Sequence, residues 1–194
     1  MMPIRELLKI IRARSVVVLS HSKELDQMEE EILDIVNDQD EVVGVMTRSQ
    51  AYAEHRLSST RAVWLMIKNQ QGAFWIPQRS ASKVSCPSAL DGSAVGHVSS
   101  GETYEQAMVR EAQEELNLNL MNLSYRCLGK LTPTTGSVAF IAVFELQVSD
   151  DFVIDYNAED FSGFFWLTPQ EIIKKYEEGC SIRKTLVAIM KTFY

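Results

Sequence analysis

The sequence has few cysteines, and it lacks an apolar run long enough to cross a bilayer. Its three cysteines, Cys86, Cys127 and Cys180, are scattered, without the pairing of a disulfide framework or the close spacing of a zinc site. The uncharged stretch Ser15–Ser20 is far shorter than the roughly 20 residues that a spanning helix needs. The first residues lack the long apolar core and small-residue cleavage site of a signal peptide. These absences predict a cytoplasmic protein with no membrane partner.

Positive charge is also scarce. Nineteen lysines and arginines stand against 26 aspartates and glutamates, which gives a net charge of -7 and an isoelectric point near 5.0. This balance argues against nucleic acid as a polymeric partner. A small anion can still bind where a divalent metal or a local group of basic side chains reverses the field.

The length and composition favour one folded domain with a short appendage. The chain has 194 residues, 46% of them hydrophobic, which is enough for one substantial core but not for two full domains. Residues 1–30 are predicted to be the appendage, with a helix over residues 3–14 and a short strand at Ser15–Ser20. The apolar stripe of that helix could form a homodimer contact or pack against the rest of the chain.

Residues 31–194 are predicted to form the α/β domain. The patterns of apolar residues and turn residues predict the following elements: hairpins at 32–47 and 62–78, a helix at 103–116, strands at 125–131, 138–148 and 164–167, and helices that begin at Thr168 and Ile182. Strands before and after a central helix, with further helices at the end, indicate a mixed sheet covered by helices on both faces.

The central helix carries a cluster of glutamates. Glu111, Glu114 and Glu115 stand at i, i+3 and i+4, so their carboxylates are expected on one face within about 6 Å of one another at Cβ. Like charges at this spacing destabilise a helix, whereas Mg²⁺ or Mn²⁺ prefers such oxygen ligands. A solvated acidic face would explain the glutamates alone. The residues around them therefore decide between a metal site and a solvated surface.

Those surrounding residues resemble the signature of the Nudix hydrolases. That signature reads Gly, five residues, Glu, seven residues, Arg-Glu, an aliphatic residue, any residue, Glu-Glu, any residue, Gly and an aliphatic residue. The chain matches at these positions: Gly96, Glu102, Arg110, Glu111, Ala112, Glu114, Glu115 and Leu118. Asn117 replaces the final glycine, and asparagine is the next-best residue for the left-handed backbone that ends a helix.

The resemblance implies a fold, an activity and a metal site. The fold is an α/β/α sandwich, and the activity is cleavage of a diphosphate linkage, typically in a nucleoside diphosphate derivative, by a metal-activated water that attacks phosphorus. The cofactor is Mg²⁺, with Mn²⁺ as an alternative. The resemblance makes Glu111 and Glu115 the main ligands, Glu114 a further ligand, direct or through water, and the Gly96 carbonyl a possible one.

Four further residues are expected to orient the site and bind substrate. Arg110 follows Glu102 by eight residues. This spacing allows an ion pair between the helix and the loop from Gly96 to Glu102, which we call the glycine loop. The resemblance makes these two the orienting pair. It extends to the branch that contains isopentenyl-diphosphate isomerases and their hydrolase relatives, in which the positions of Arg79 and Lys83 contact diphosphate. Solvated surface cations are the alternative for both.

The general base is the least determined group. Family members often carry an acidic residue in a late loop before a tryptophan-containing strand, and Glu159 and Asp160 precede Trp166 in this way. Either is a candidate base. The alternatives are solvated loop acids without a role, or a glutamate of the signature that acts as the base.

Two other functions compete with hydrolysis of a small-molecule diphosphate. Isopentenyl-diphosphate isomerase needs a cysteine directly before the Gly-His pair and acids on a later strand. This chain has Val95 at the position of that cysteine and apolar residues in the Gly136–Ile141 segment. It therefore lacks the groups that would protonate the substrate double bond. A catalytically silent nucleotide-binding module is the third reading, and nucleotide binding without product release would favour it.

Overall fold

Two β-sheets organise residues 30–194, the part of the chain that the computed structural model describes. The smaller sheet pairs β1 (Ile32–Val36) with β2 (Val42–Thr47) as the predicted antiparallel hairpin. The larger sheet contains β3 (Arg61–Lys68), β4 (Phe74–Arg79), β5 (Ala94–His97), β6 (Tyr125–Leu131), β7 (Phe140–Gln147) and β8 (Phe161–Leu167). The predicted helix at 3–14 and strand at 15–20 lie outside the described residues, and the division of the chain at residue 30 stays a prediction.

The larger sheet is mixed, as predicted. Its strands follow the order β6-β7-β3-β4-β8. Strand β3 pairs with β4 only where Lys68 lies opposite Phe74, and with β5 from Ala62 to Leu65. Strand β3 runs parallel to β7 from Arg61 opposite Phe140 to Lys68 opposite Gln147, and the other pairs are antiparallel. Because β7 has a neighbour on each side and a buried surface on both faces, its sequence is almost entirely apolar.

Helices cover both faces of this sheet. The short helix α1 (Arg48–Ala53) follows β2, whereas α2 (Tyr104–Leu116) covers one face and α3 (Pro169–Glu177) and α4 (Lys184–Phe193) cover the other, with single 3-10 turns at Leu57–Ser59 and Pro133–Thr135. No helix within residues 30–194 has the length and apolar character needed to cross a membrane.

Alternation along β3 assigns the two cores. Val63 and Leu65 pack in the same buried cluster as α2, whereas Trp64 lies in the cluster that contains residues of α3 and α4. Successive side chains of a strand point to opposite faces, so the sheet separates α2 from α3 and α4. The predicted α/β/α sandwich is confirmed.

Local signals fix the ends of α2. The Thr103 side chain accepts a hydrogen bond from the Gln106 N–H, and the Gln106 side chain binds back to the Thr103 backbone, which forms a capping box. At the other end Asn117 has φ 48° and ψ 28°, the left-handed conformation expected for the residue in place of glycine. Its Nδ2 donates to the Asp155 carbonyl at 2.9 Å, so the substitution preserves the end of the helix.

Two elements and three boundaries differ from the predictions, and one of those boundaries is the start of α4, at Lys184 rather than Ile182. Strand β5 was missed because it is only four residues long and includes Gly96. Helix α1 was missed because it has one buried residue and no apolar stripe, although the Thr47–Gln50 capping box marks its start. Strand β8 begins at Phe161 rather than 164, and β7 begins at Phe140 rather than 138.

Candidate active site

Strand β5 and helix α2 carry the signature residues to one place. Antiparallel pairing puts Gly96 opposite Val63 of β3, and the chain then turns and returns as α2 above the same face of the sheet. Glu111 and Glu115, one turn apart on α2, are each only 8% exposed. The side chain of Glu114 is 56% exposed. The three glutamates therefore differ in exposure, while Glu111 and Glu114 lie close enough to share Nη1 of Arg110 as a donor, which is consistent with the expected common face.

Gly96 lies in direct contact with the Glu111 carboxylate. A Cβ added at Gly96 would lie 1.8 Å from Glu111 Oε1, which is far inside van der Waals distance. Only glycine lets a carboxylate approach the β5 backbone this closely. The contact brings together two predicted metal-binding residues from different elements.

Arg110 links the signature carboxylates. It binds Glu102 through two parallel hydrogen bonds, from Nε at 2.9 Å and from Nη2 at 3.0 Å, so the predicted ion pair is present. Nη1 donates to Glu111 at 2.7 Å and to Glu114 at 3.2 Å, and Nη2 also donates to the His97 carbonyl at 3.0 Å. The guanidinium lowers the pKa of the Glu102 carboxyl, chiefly through these hydrogen bonds. One side chain thus joins the glycine loop, β5 and three carboxylates.

Glu115 is the least compensated carboxylate of the group. Its Oε2 accepts one hydrogen bond, from the Val95 N–H at 2.9 Å. Burial, together with the negative charges of Glu111, Asp91 and Asp160, raises the pKa of Glu115 to about 8. The site therefore concentrates more negative charge than its own cations neutralise.

The donor chemistry of this site fits a hard divalent cation. Glu111 and Glu115 offer carboxylate oxygens, and the adjoining Gly96 backbone offers a carbonyl oxygen, which are the ligand types that Mg²⁺ prefers. Within residues 30–194, no three His, Cys, Asp or Glu side chains are already gathered as a metal site. Arg110 instead binds Glu111 and Glu114.

The two predicted substrate-binding cations are held by carboxylates near this group. Arg79 donates from Nη1 to Asp91 Oδ2 at 2.8 Å and from Nε to the Ser85 carbonyl at 3.1 Å. Only 11% of its side chain is exposed, so Arg79 is not a solvated surface cation. Lys83 forms an ion pair with Asp160, which joins two residues that were predicted separately.

The structure separates the two candidate bases. Asp160 is partly buried, pairs with Lys83, and contributes to the raised pKa of Glu115. Glu159 is exposed, and its side chain forms no hydrogen bond or ion pair with any residue from 30 to 194. Asp160 therefore lies with the carboxylate cluster, and Glu159 does not.

Arg183 is a nearby residue that the sequence did not reveal. Its Nη1 donates to both oxygens of Asp91, at 2.9 and 3.2 Å, and its Cζ lies 4.9 Å from the centre of the Trp64 ring. Backbone bonds bring it there, since the Leu90 N–H donates to Ser181 O at 2.9 Å and the Arg183 N–H donates to Leu90 O at 3.1 Å. No local spacing signals a contact between residues so far apart in the chain.

His97, next to Gly96, lies among several arginines. Burial, together with the positive charges of Arg48, Arg183 and Arg110, lowers the pKa of its imidazole to about 4. Its ring meets that of Tyr52 edge-on at 6.2 Å between centroids. We therefore expect a neutral imidazole at physiological pH.

A separate cavity of about 660 Å³ opens near the start of α2. Asp40 lines it and accepts hydrogen bonds from Arg61 at 2.6 Å, from Lys130 at 2.6 Å and from the Tyr104 hydroxyl at 2.9 Å. Glu102 lies on its wall. These bonds join the β1–β2 hairpin to α2, β3 and β6.

Comparison with known proteins gives consistent matches. The profile of the NUDIX domain matches residues 58–187. A protein of Nostoc sp. named as an uncharacterized Nudix hydrolase is 44% identical over 165 residues, which cover 84% of this chain and 96% of that protein. A crystal structure of a protein from Deinococcus radiodurans has a TM-score of 0.80 and 41% identity, and the match covers 84% of this chain and 99% of that chain. Isopentenyl-diphosphate Delta-isomerase of Klebsiella pneumoniae is 29% identical over 141 residues, with coverage of 65% and 74%.

The raised pKa of Glu115 predicts how the stability of the metal-free protein changes with pH. Between its unfolded pKa near 4.5 and its folded pKa of about 8, the folded state keeps a proton that the unfolded state has lost. The free energy of unfolding should therefore fall as pH rises, by up to about 1.4 kcal/mol per pH unit.

Urea unfolding in EDTA from pH 5 to pH 8.5 measures this change. Glu115→Gln keeps the bond from Val95 without the ionisation, so the wild type should lose stability relative to this variant across the window and level off above it. A constant difference between the two proteins would contradict the assignment.

Proposed function

This chain belongs to the Nudix family of pyrophosphohydrolases, and from that premise we propose that it is a Mg²⁺-dependent hydrolase that cleaves a diphosphate linkage in a nucleoside diphosphate derivative. The contact between Gly96 of β5 and the Glu111 carboxylate of α2 carries the proposal, because it unites the oxygen donors of two elements. When bound, Mg²⁺, or Mn²⁺ in its place, supplies a Lewis acid that neutralises diphosphate charge and lowers the pKa of a water molecule.

Residues of β5 and α2 would bind the cation together. Glu111, Glu115 and the Gly96 carbonyl would hold it, and Glu114, from its exposed position, would contribute directly or through a water molecule. Arg110 orients this set, because its hydrogen bonds to Glu102 and Glu111 fix α2 against the glycine loop.

Arg79 and Lys83 are proposed to bind the phosphates of the substrate. Asp91 holds the Arg79 guanidinium in place before substrate arrives, which reduces the entropy lost on binding. An ion pair with Asp160 holds Lys83 near the carboxylate cluster. Together they supply the local positive charge that the chain as a whole lacks.

Asp160 is proposed as the residue that accepts the proton of the attacking water. It lies close enough to the carboxylate cluster to influence Glu115, and Lys83 fixes its orientation. The exposed Glu159 has neither property. A carboxylate in this position can act as a general base without belonging to the metal-binding set.

The isomerase alternative has little support in the site. Val95, at the position of the isomerase cysteine, uses its N–H to bind Glu115. The later segment ends in Phe140 and Ile141, which are 5% and 1% exposed and belong to the core. Neither place offers a group that could protonate an alkene.

The proposed setting is the cytoplasm, with a small-molecule diphosphate as the partner. All three cysteines are unpaired and exposed, and exposed thiols persist as thiols in a reducing compartment. The proposed homodimer contact lies on the predicted helix at 3–14, outside the described residues.

A substrate screen tests the proposed reaction. Four substrate classes are each incubated with Mg²⁺, Mn²⁺ or EDTA, and the nucleotide, phosphomonoester and pyrophosphate products are separated by ion-exchange chromatography and quantified. The classes are nucleoside diphosphate sugars, dinucleoside polyphosphates, nucleotide cofactors and nucleoside triphosphates. At least one class should turn over with metal and not with EDTA. Glu115→Gln should lower that turnover by at least about 100-fold while its circular dichroism stays that of the wild type.

Three results would contradict parts of the proposal. Binding of nucleotides without any product would indicate a silent module. Unchanged turnover in Glu115→Gln would remove that residue from the metal site. Isomerisation of isopentenyl diphosphate would show that the inference from Val95 is wrong.

A pair of neighbouring variants tests the proton acceptor. Asp160→Asn should lower kcat by about 100-fold or more with little change in KM, since a general base contributes about 10²–10⁴-fold. Glu159→Gln, the matched control, should change neither constant by more than about two-fold, because its exposed side chain forms no hydrogen bond or ion pair with residues 30–194. Equal effects of the two substitutions on kcat would refute the choice of Asp160.

A further inference from the structure

Arg183 and Arg79 hold the buried Asp91 in common, and we infer that these three residues form a seat for one phosphate group of the substrate. We call it the two-arginine seat. The inference rests on the proposed function in one respect only, namely that the substrate carries a diphosphate. It adds a substrate-binding residue, Arg183, from a part of the chain that the signature does not reach.

The charges of the seat favour an anion. Asp91 is 1% exposed, and its Oδ2 accepts from Arg79 at 2.8 Å and from Arg183 at 2.9 Å. The Gly92 N–H completes its contacts at 2.8 Å. Two guanidinium groups against one carboxylate leave a net positive charge in a protein whose total is -7. A phosphate oxygen would balance that charge.

Both guanidinium groups keep donors available for a ligand. Arg183 uses Nη1 for Asp91, and within residues 30–194 its Nε and Nη2 have no protein acceptor. The same holds for Nη2 of Arg79. The Arg183 side chain is 24% exposed, so these donors can be reached from solvent. Planar N–H pairs of this kind bind phosphate through two parallel hydrogen bonds.

The seat lies beside the proposed metal-binding residues. The Arg183 guanidinium packs over Trp64 at 4.9 Å, and Trp64 pairs with Val95 across β3 and β5. The Val95 N–H in turn binds Glu115. Trp64 and Val95 therefore connect the seat to Glu115. Asp91 of the seat lies near enough to Glu115 for its negative charge to act on that carboxyl. The inferred arrangement places one phosphate group of a diphosphate in the seat and the other at the carboxylate cluster.

The backbone fixes Arg183 independently of its side chain. Its N–H donates to Leu90 O, and Leu90 N–H donates to Ser181 O, so the segment before α4 stays attached to the loop that carries Asp91. Substitution of the side chain should leave this attachment intact. The seat can thus be tested without removing the segment that presents it.

Binding of methylene diphosphonate, a diphosphate analogue that is not hydrolysed, tests the seat directly. Isothermal titration in Mg²⁺ compares the wild type with Arg183→Gln, Arg183→Lys and the control Arg126→Gln. Arg126 also pairs with a buried carboxylate, Glu145, at 2.7 Å, but on β6 at the opposite edge of the sheet from β8. This control distinguishes the effect of losing any arginine–carboxylate pair from the effect of losing the seat.

Arg183→Gln should weaken diphosphonate binding at least about 10-fold, the usual effect of losing hydrogen bonds to a charged group. Arg183→Lys, which keeps the charge but not the planar fork, should give a smaller loss, and Arg126→Gln should match the wild type. If Arg183→Gln fails to fold, Arg183→Lys decides, and wild-type affinity in that variant overturns the seat. With the substrate found in the screen, Arg183→Gln should raise KM about 10-fold with kcat within about three-fold.

Equal affinity of Arg183→Gln and the wild type for the diphosphonate would overturn the seat, and so would failure of the wild type to bind. Binding that depends on Arg183 in a protein that hydrolyses nothing would support the seat and refute the proposed hydrolase. If the protein hydrolyses a substrate but its affinity for the diphosphonate does not depend on Arg183, the hydrolase is supported and the seat is refuted. The two proposals therefore fail separately.

Discussion

The burial of Glu111 and Glu115 against strand β5 is the constraint around which the rest of the site is arranged. Removing two carboxylates from water is costly unless partners compensate them. Glu111 has Arg110 and rests on the bare backbone of Gly96. Glu115 has one backbone N–H and a pKa of about 8. The fold thus tolerates two buried carboxyl groups whose joint ionisation is costly, and a divalent cation would compensate both.

The cations around this cluster are each shared with a carboxylate. Arg110 binds Glu102 along with the signature glutamates, Asp91 holds two arginines, and Asp160 holds Lys83. This pairing keeps basic side chains partly buried and oriented at one edge of an acidic protein. It resolves the apparent conflict between a net charge of -7 and a proposed anionic substrate, because the field that the substrate meets is set locally.

Contacts between residues close in sequence were the predictable part of this site. The eight-residue spacing indicated the Glu102–Arg110 pair, and the position after α2 indicated the left-handed Asn117. The different exposures of Glu114 and Glu115 do not follow from the sequence, because helical spacing alone does not say where the sheet lies. The contact between Arg183 and Asp91 joins residues 92 positions apart, and only the assembled fold brings them together.

The same distinction holds for the fold. The long apolar strands and the capped helices followed from periodicity and capping residues, whereas β5 was hidden because four residues with a central glycine carry almost no strand signal. That short strand is nevertheless what places Gly96 beneath Glu111. The element with the weakest sequence signal therefore positions the strongest functional motif.

The central claim is that the contact between Gly96 and Glu111 builds a site for a divalent cation. Titration with Mn²⁺, followed by electron paramagnetic resonance, measures that site without any substrate. Gly96→Ala inserts a Cβ where Glu111 Oε1 now lies, so the account predicts Mn²⁺ affinity at least about 10-fold below that of the wild type in a protein that remains folded. Equal Mn²⁺ affinity in the two proteins would contradict it.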